Sequence, residues 1–348
     1  MLVSVEATAV SGSFQNHRFN EYISFNFTNL LKSCFYKQDS LPYHTDMTPQ
    51  MRHNESNFML RVLLWALVAV YTFVLPYLIV VYTAIVKHFS AAIAGKIPIT
   101  IIIVMGVVFF IIVLVLKKDI KILILLIPCT IITWVLISLQ PNPNKYIHIP
   151  EYVVMSWILF EALSLDYKGK GIFYLVFICA ASLGVVDEMM QGILPGRFYG
   201  WRDMIMNSAA AVIGIFTLVG LRTTPKGGWT WIGCLKQYKK ALGITLFGAA
   251  GAALMCVSLF DVKAHGGTIE GSYPGWLLGW SVLFLITGLV VILFPVHFYM
   301  PDRTANDTGS NPSDQVVTAR LWILCPLVIL IIMHGLAVLT VAKGLAFS

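Results

Sequence analysis

From residue 58 onward the chain alternates between long apolar runs and short polar breaks. Runs able to cross about 30 Å of hydrocarbon, at about 1.5 Å of helical rise per residue, fall at 60–86, 97–116, 122–138, 150–165, 171–190, 203–221, 241–260, 275–298 and 321–342. The separators are compact and charged, as in Lys117-Lys118-Asp119 and Asp166-Tyr167-Lys168-Gly169-Lys170. The runs are apolar all round, so helical periodicity adds little to their placement. The pattern predicts an all-α fold, a polytopic integral membrane protein of about nine transmembrane helices. The fourth run is short: Tyr152 to Leu165 is 14 residues, or about 21 Å as helix.

Residues 1–57 stand outside this pattern, being polar, mixed in charge and without the apolar stretch of a signal peptide. The expectation is a disordered segment, or one upstream of a translation start at Met47, Met51 or Met59. No function is assigned to it. The rest divides into a core over 58–222 and a three-span extension over 223–348.

Composition narrows the class. Of 348 residues, 58% are hydrophobic and 12% charged, and a soluble domain carries roughly twice that charged fraction. So few charges cannot solvate a surface, which excludes a soluble enzyme, a disordered protein and a secreted disulfide scaffold. The six cysteines, at 34, 129, 179, 234, 256 and 325, show no paired spacing and read as small packing residues. The net charge of +7 reads as a topology signal, with no nucleic-acid partner expected. Loops after even-numbered runs carry twelve lysines and arginines, against six after odd-numbered runs. Basic loops stay cytoplasmic, so the amino terminus is expected inside and the carboxyl terminus outside.

Acidic groups near a bilayer centre cost about 2.5–3.5 kcal/mol each, so their positions are informative. Two clusters stand out: His148, Glu151 and Tyr152, and then Asp187, Glu188, Gln191, Arg197, Asp203 and Asn207. His148, Glu151 and Tyr152 are spaced i, i+3, i+4; Asp187 and Gln191, and Asp203 and Asn207, are each i, i+4, so each set shares a helix face. Asp203 suits the first turn of its helix, and Pro195-Gly196 with Tyr199-Gly200 marks the loop before it. One cluster follows run 3 and the other run 5, which puts both on one side, extracytoplasmic by the charge count. The short fourth run draws His148 and Glu151 toward the headgroup layer. A polar pocket at the outer interface is expected, placed for membrane lipids or a lipid-linked envelope precursor.

The motif His-x-x-Glu-Tyr, followed 35 residues after its tyrosine by Asp-Glu-x-x-Gln-x-x-x-Pro-Gly-Arg-x-x-x-x-x-Asp-x-x-x-Asn, resembles the VanZ-like family, named for a protein conferring resistance to the glycopeptide teicoplanin. The resemblance covers approximately residues 60–220. Two positions depart from it: Ala210 stands where a glycine is common, and Met190 where a histidine is often seen. The resemblance implies an envelope-associated membrane protein linked to glycopeptide tolerance. It names no reaction and no cofactor.

Three chemistries fit the pocket. Arg197, with or without Arg202, binds a phosphate or carboxylate through its planar fork. Alternatively, Glu151 and one of Asp187 or Glu188 form a catalytic acid and base pair, crowding having raised one carboxyl group as a general acid requires. In the third, His148, Glu151, Asp187 and Asp203 hold a divalent metal, a choice that no ligand spacing supports. Against all three stands simple interhelical hydrogen bonding. A transporter or flippase using the acids as a proton or substrate path is the alternative of a different class.

Elsewhere, Glu161 is expected to pair with Lys168, and His334 and His297 to be hydrogen-bonded packing residues. Gly248 to Ala253, and Gly275 with Gly279, form small-residue stripes for close helix approach or an oligomer contact. Gly227 to Trp231, with Lys236, Lys239 and Lys240, reads as an interfacial anchor.

Overall fold

The computed structural model describes residues 49–117, 120–222, 228–265, 273–294 and 312–347. Expectations for 1–48, His297, Gly227 and the Cys34 thiol lie outside these residues. Ser56–Ser348 forms one compact unit. Among the described residues there is no β-strand. The helices are α1 (Pro49–Val74), α2 (Leu78–His88), α3 (Ala91–Ile112), α4 (Leu126–Leu139), α5 (His148–Ser164), α6 (Ile172–Ile193), α7 (Trp201–Leu221), α8 (Trp231–Cys234), α9 (Lys239–Ala264), α10 (Gly275–Leu293) and α11 (Pro312–Ala342).

Eight helical stretches among the described residues are long and apolar enough to cross a membrane: Phe58–His88, Ala91–Val115, Ile122–Leu139, Ile172–Ile193, Trp201–Leu221, Trp231–Ala264, Gly275–Leu293 and Asp314–Ala342. They correspond to eight of the nine expected runs. The missing one is α5, whose 17 residues open with the polar His148 and Glu151.

The core is built on α5 and α7, which both start at the same end and run side by side. Their contacts climb in step: Ser156 Oγ donates to the Ala211 carbonyl at 3.3 Å, Trp157 Nε1 donates to Thr217 Oγ1 at 2.8 Å, and Glu161 pairs with Arg222. Gly214 lets them approach, since a Cβ there would lie 2.8 Å from Ser156 Cβ. α6 packs against both in the opposite sense, with Gly184 against Asn207 and Tyr152. Ala210 is fully buried, so the departure from glycine is accommodated.

α9, α10 and α11 pack on one another and against this core. Gly251 receives the Trp280 ring and lies beside His334. His334, fully buried, contacts Ser281 Oγ through Nδ1 at 2.9 Å and the Gly248 carbonyl through Nε2 at 3.0 Å. Gly275 and Gly279, in contrast, have nothing within 4 Å of a notional Cβ among the described residues. The five described cysteines are free thiols.

Two expectations are corrected. Glu161 pairs with Arg222 instead of Lys168, because the parallel course of α5 and α7 brings their last turns together. Lys168 lies past the end of α5 and caps the Leu165 carbonyl. Trp231 is no surface anchor: it is 4% exposed, stacks on Trp322 at 5.1 Å and donates to the Lys170 carbonyl at 2.9 Å. Lys236, Lys239 and Lys240 are exposed, as an anchor requires. At this same end the Tyr167 hydroxyl donates to the Lys170 carbonyl and accepts from Trp322; burial pushes it up to about 12, so it stays a donor.

Candidate functional site

The chain order of the motif becomes a spatial cluster because α5 and α7 begin, and α6 ends, at one end of the core. Glu151 sits in the first turn of α5, Asp187 and Glu188 near the end of α6, and Asp203 in the first turn of α7. Glu151 is 6% exposed, Asp203 1%, and Asp187 and Glu188 fully buried. The Pro-Gly-Arg step is a turn: the Arg197 N–H donates to the Leu194 carbonyl at 3.2 Å, with Gly196 at φ +73°. Proline second and a positive-φ glycine third are the requirements of a type II turn. That turn sends Arg197 back onto the end of α6.

Each carboxylate has a distinct partner. His148 Nδ1 lies 3.1 Å from Glu151 Oε2, while the Glu151 main-chain carbonyl accepts from Tyr71 at 3.0 Å. Tyr152 donates to Asp187 Oδ2 at 3.2 Å. Glu188 accepts from Gln191 Nε2 at 3.3 Å and from the Gly200 N–H at 3.2 Å. Asp203 accepts from Gln140 Nε2 at 3.2 Å and forms an ion pair with Lys145. Arg197 Nη2 donates to Gln191 Oε1 at 2.5 Å, so its guanidinium is oriented by an amide instead of a carboxylate. Glu188 and Asp203 meet at Gly200, whose notional Cβ would lie 3.8 Å from Glu188 Oε2 and 3.0 Å from Asp203 Oδ2.

All nine expected residues therefore gather at one end. Asn207 lies one turn deeper beside Tyr152 and Gly184. Gln140 and Lys145 belong with them, although the sequence marked neither as a site residue. Lys145 reads there as one loop charge among several, and only the approach of its loop to α7 makes it a carboxylate partner. Tyr199 is likewise new: fully buried, it packs on Phe260 and Phe347 with ring centroids 4.4 Å and 5.0 Å away. Burial raises its hydroxyl above the ordinary tyrosine value.

Among the described residues, no three His, Cys, Asp or Glu side chains are grouped so as to hold a metal ion. Of the four residues of the metal arrangement, His148 and Glu151 face each other, while Asp187 faces Tyr152 and Asp203 faces Gln140 and Lys145. Recognition and acid–base chemistry remain open to this geometry. So does simple cross-linking, but a cluster serving only that purpose should satisfy its own polar atoms. Both amide atoms of Asn207 and the Nε of Arg197 are buried with no hydrogen-bond partner among the described residues. Each such atom costs about 1–3 kcal/mol. Comparisons with protein families, curated proteins and solved structures give no match to this chain.

Proposed function

We propose that the chain is a VanZ-like integral membrane protein whose polar cluster, at the extracytoplasmic interface, recognises or processes a lipid-linked or amphiphilic component of the cell envelope. Eight apolar helices are compatible with a membrane protein. α5 supplies a ninth crossing, since it runs beside α7 from the carboxylate cluster to the Glu161–Arg222 pair. The excess of basic residues in even-numbered loops supports the outward orientation of the cluster.

One observation carries the reading: four buried carboxylates converge with Asn207 and Arg197 atoms that have no partner among the described residues, at one end of the helices. Intramembrane ionisable groups that leave polar atoms unpaired suit a polar guest better than structural cross-links. Glu188, with one oxygen on Gln191 and the other on Gly200 N–H, and Glu151, coupled to His148, are the candidates for proton transfer. Arg197 and Gln191 are the candidates for orienting the guest. A transport path would need acids through the membrane depth; α5, α6 and α7 carry theirs at the cluster end, apart from Glu161 at the other.

The test is envelope lipid analysis, with glycopeptide susceptibility, of cells producing Glu151→Gln, Glu188→Gln or Arg197→Ala at parental levels. A changed headgroup profile supports processing. Changed susceptibility with an unchanged profile supports recognition. Parental behaviour of all three variants, correctly inserted, would reduce the cluster to a structural cross-link.

A further inference from the structure

Beside the carboxylate cluster lies a cavity of about 400 Å³. Its walls come from three places far apart in sequence: the 140–145 segment, the 199–203 turn, and Phe260 with Lys263 on α9. Among the described residues, three cations line it, Lys145, Arg202 and Lys263, against one acid, Asp203. Asp203 is 1% exposed and already paired with Lys145, so the lining keeps two net positive charges. These three are half of the six basic residues that the odd-numbered loops carry. On a side of the membrane where basic residues are otherwise sparse, their convergence calls for an anion.

The cations are held in place. Lys263 Nζ donates to the Tyr199 carbonyl at 2.6 Å and lies 5.5 Å from the Phe198 ring centroid; an ammonium has three donors, so two remain. The Arg202 guanidinium lies over the Trp201 ring at 5.6 Å.

The next residues along the same helix line an apolar groove of about 350 Å³, formed by Met204, Ile205, Ser208, Ala209 and Val212 of α7 with Phe177 of α6. Arg202, Ile205, Ala209 and Val212 are spaced i, i+3, i+7 and i+10, which is one helix face. That face runs about 15 Å from the cationic cavity down α7. A cationic cavity followed along one helix face by an apolar groove matches an amphiphile with an anionic head.

We infer that this cavity seats the phosphate of an anionic lipid headgroup, with Lys145, Arg202 and Lys263 as its ligands and the α7 groove taking an acyl chain. The inference rests on the membrane reading above and names the ligand class for that region. It moves the anion from Arg197, which is engaged by Gln191, to a neighbouring site. It also gives the C-terminal helices a part in binding, since α9 contributes Lys263 and Phe260.

The experiment uses the full chain purified in a neutral detergent and titrated separately with dioctanoyl phosphatidylglycerol, dioctanoyl phosphatidylcholine and inorganic phosphate. The wild-type chain binds phosphatidylglycerol at least about tenfold more tightly than phosphatidylcholine, the scale of one charge-assisted hydrogen bond. Lys263→Gln and Arg202→Gln, which leave Asp203 its partners, each weaken phosphatidylglycerol binding by about tenfold on the same scale and leave phosphatidylcholine unchanged. Ala209→Phe, filling the groove, weakens phosphatidylglycerol but not phosphate. Inorganic phosphate equal in affinity to the lipid would make the ligand a soluble phosphoester and overturn the lipid assignment. Indifference to headgroup charge, or unchanged binding in both charge variants, overturns the site. If Glu188→Gln cells still show an altered lipid profile, the proposed function survives that failure; charge-dependent binding with a normal Glu188→Gln profile is the converse.

Discussion

At the residue scale, the motif is a set of local rules whose reasons the structure exposes. Gly196 is placed for its conformation: φ is +73° and nothing among the described residues lies within 4 Å of a notional Cβ. Gly196→Ala should therefore cost about 1–2 kcal/mol through backbone strain, lowering the thermal midpoint in detergent and loosening Arg197 from Gln191. An unchanged midpoint would mean that the turn tolerates a side chain. Asn207 tests whether the cluster has a guest. An apolar residue of similar size removes two unpaired polar atoms, so Asn207→Leu should leave the midpoint equal or higher. Under the proposed function the same variant should alter the envelope lipid profile or glycopeptide susceptibility, the usual signature of a site kept at the expense of stability. Loss of stability together with function would place Asn207 among the packing residues.

At the element scale, α5 and α7 do the positioning. Gly214 faces Ser156 Cβ at 2.8 Å and the Val153 Cα at 3.1 Å from its notional Cβ. Gly214→Ala should push the helices apart at a cost of about 1–3 kcal/mol, read as a lower unfolding midpoint, with the carboxylate partners at the helix starts loosened as well. A neutral Gly214→Ala would show that the two helices can slide. The small-residue positions of the sequence divide here: Gly248 and Gly251 are consumed by packing within the chain, whereas Gly275 and Gly279 meet nothing among the described residues. Their spacings, three and four residues, each keep a pair on one helix face and do not decide the matter. Which stripe meets a neighbour depends on how far each helix is rotated about its axis.

At the scale of the whole molecule, the C-terminal helices complete what the core begins. Tyr199 is sealed by Phe260 and Phe347, and Lys263 reaches its carbonyl, so the loop carrying the motif arginine is held from α9 and the chain end. The overall topology is open to direct measurement. In a cysteine-free background, single cysteines at Asn142 and Arg202 should react with an impermeant maleimide in intact cells, and those at Lys168 and Lys236 only after permeabilisation. The reverse pattern would put the carboxylate cluster on the cytoplasmic face and end the proposed role in the outer envelope.

Eight apolar helices and the membership of the carboxylate cluster were legible in the sequence, because both depend on local properties. Hydropathy is a sum over a short window, and residues at i, i+3 or i+4 must share a helix face whatever the helix packs against. The partners of that cluster were not legible. Gln140 and Lys145 meet Asp203, Arg222 meets Glu161, and Lys263 meets Tyr199 across separations of about 60 residues. Such pairs are decided by which helix lies beside which and in what sense it runs. A motif read along the chain names the acids; only the parallel course of α5 and α7, with α9 beside the 199–203 turn, determines which cations face them.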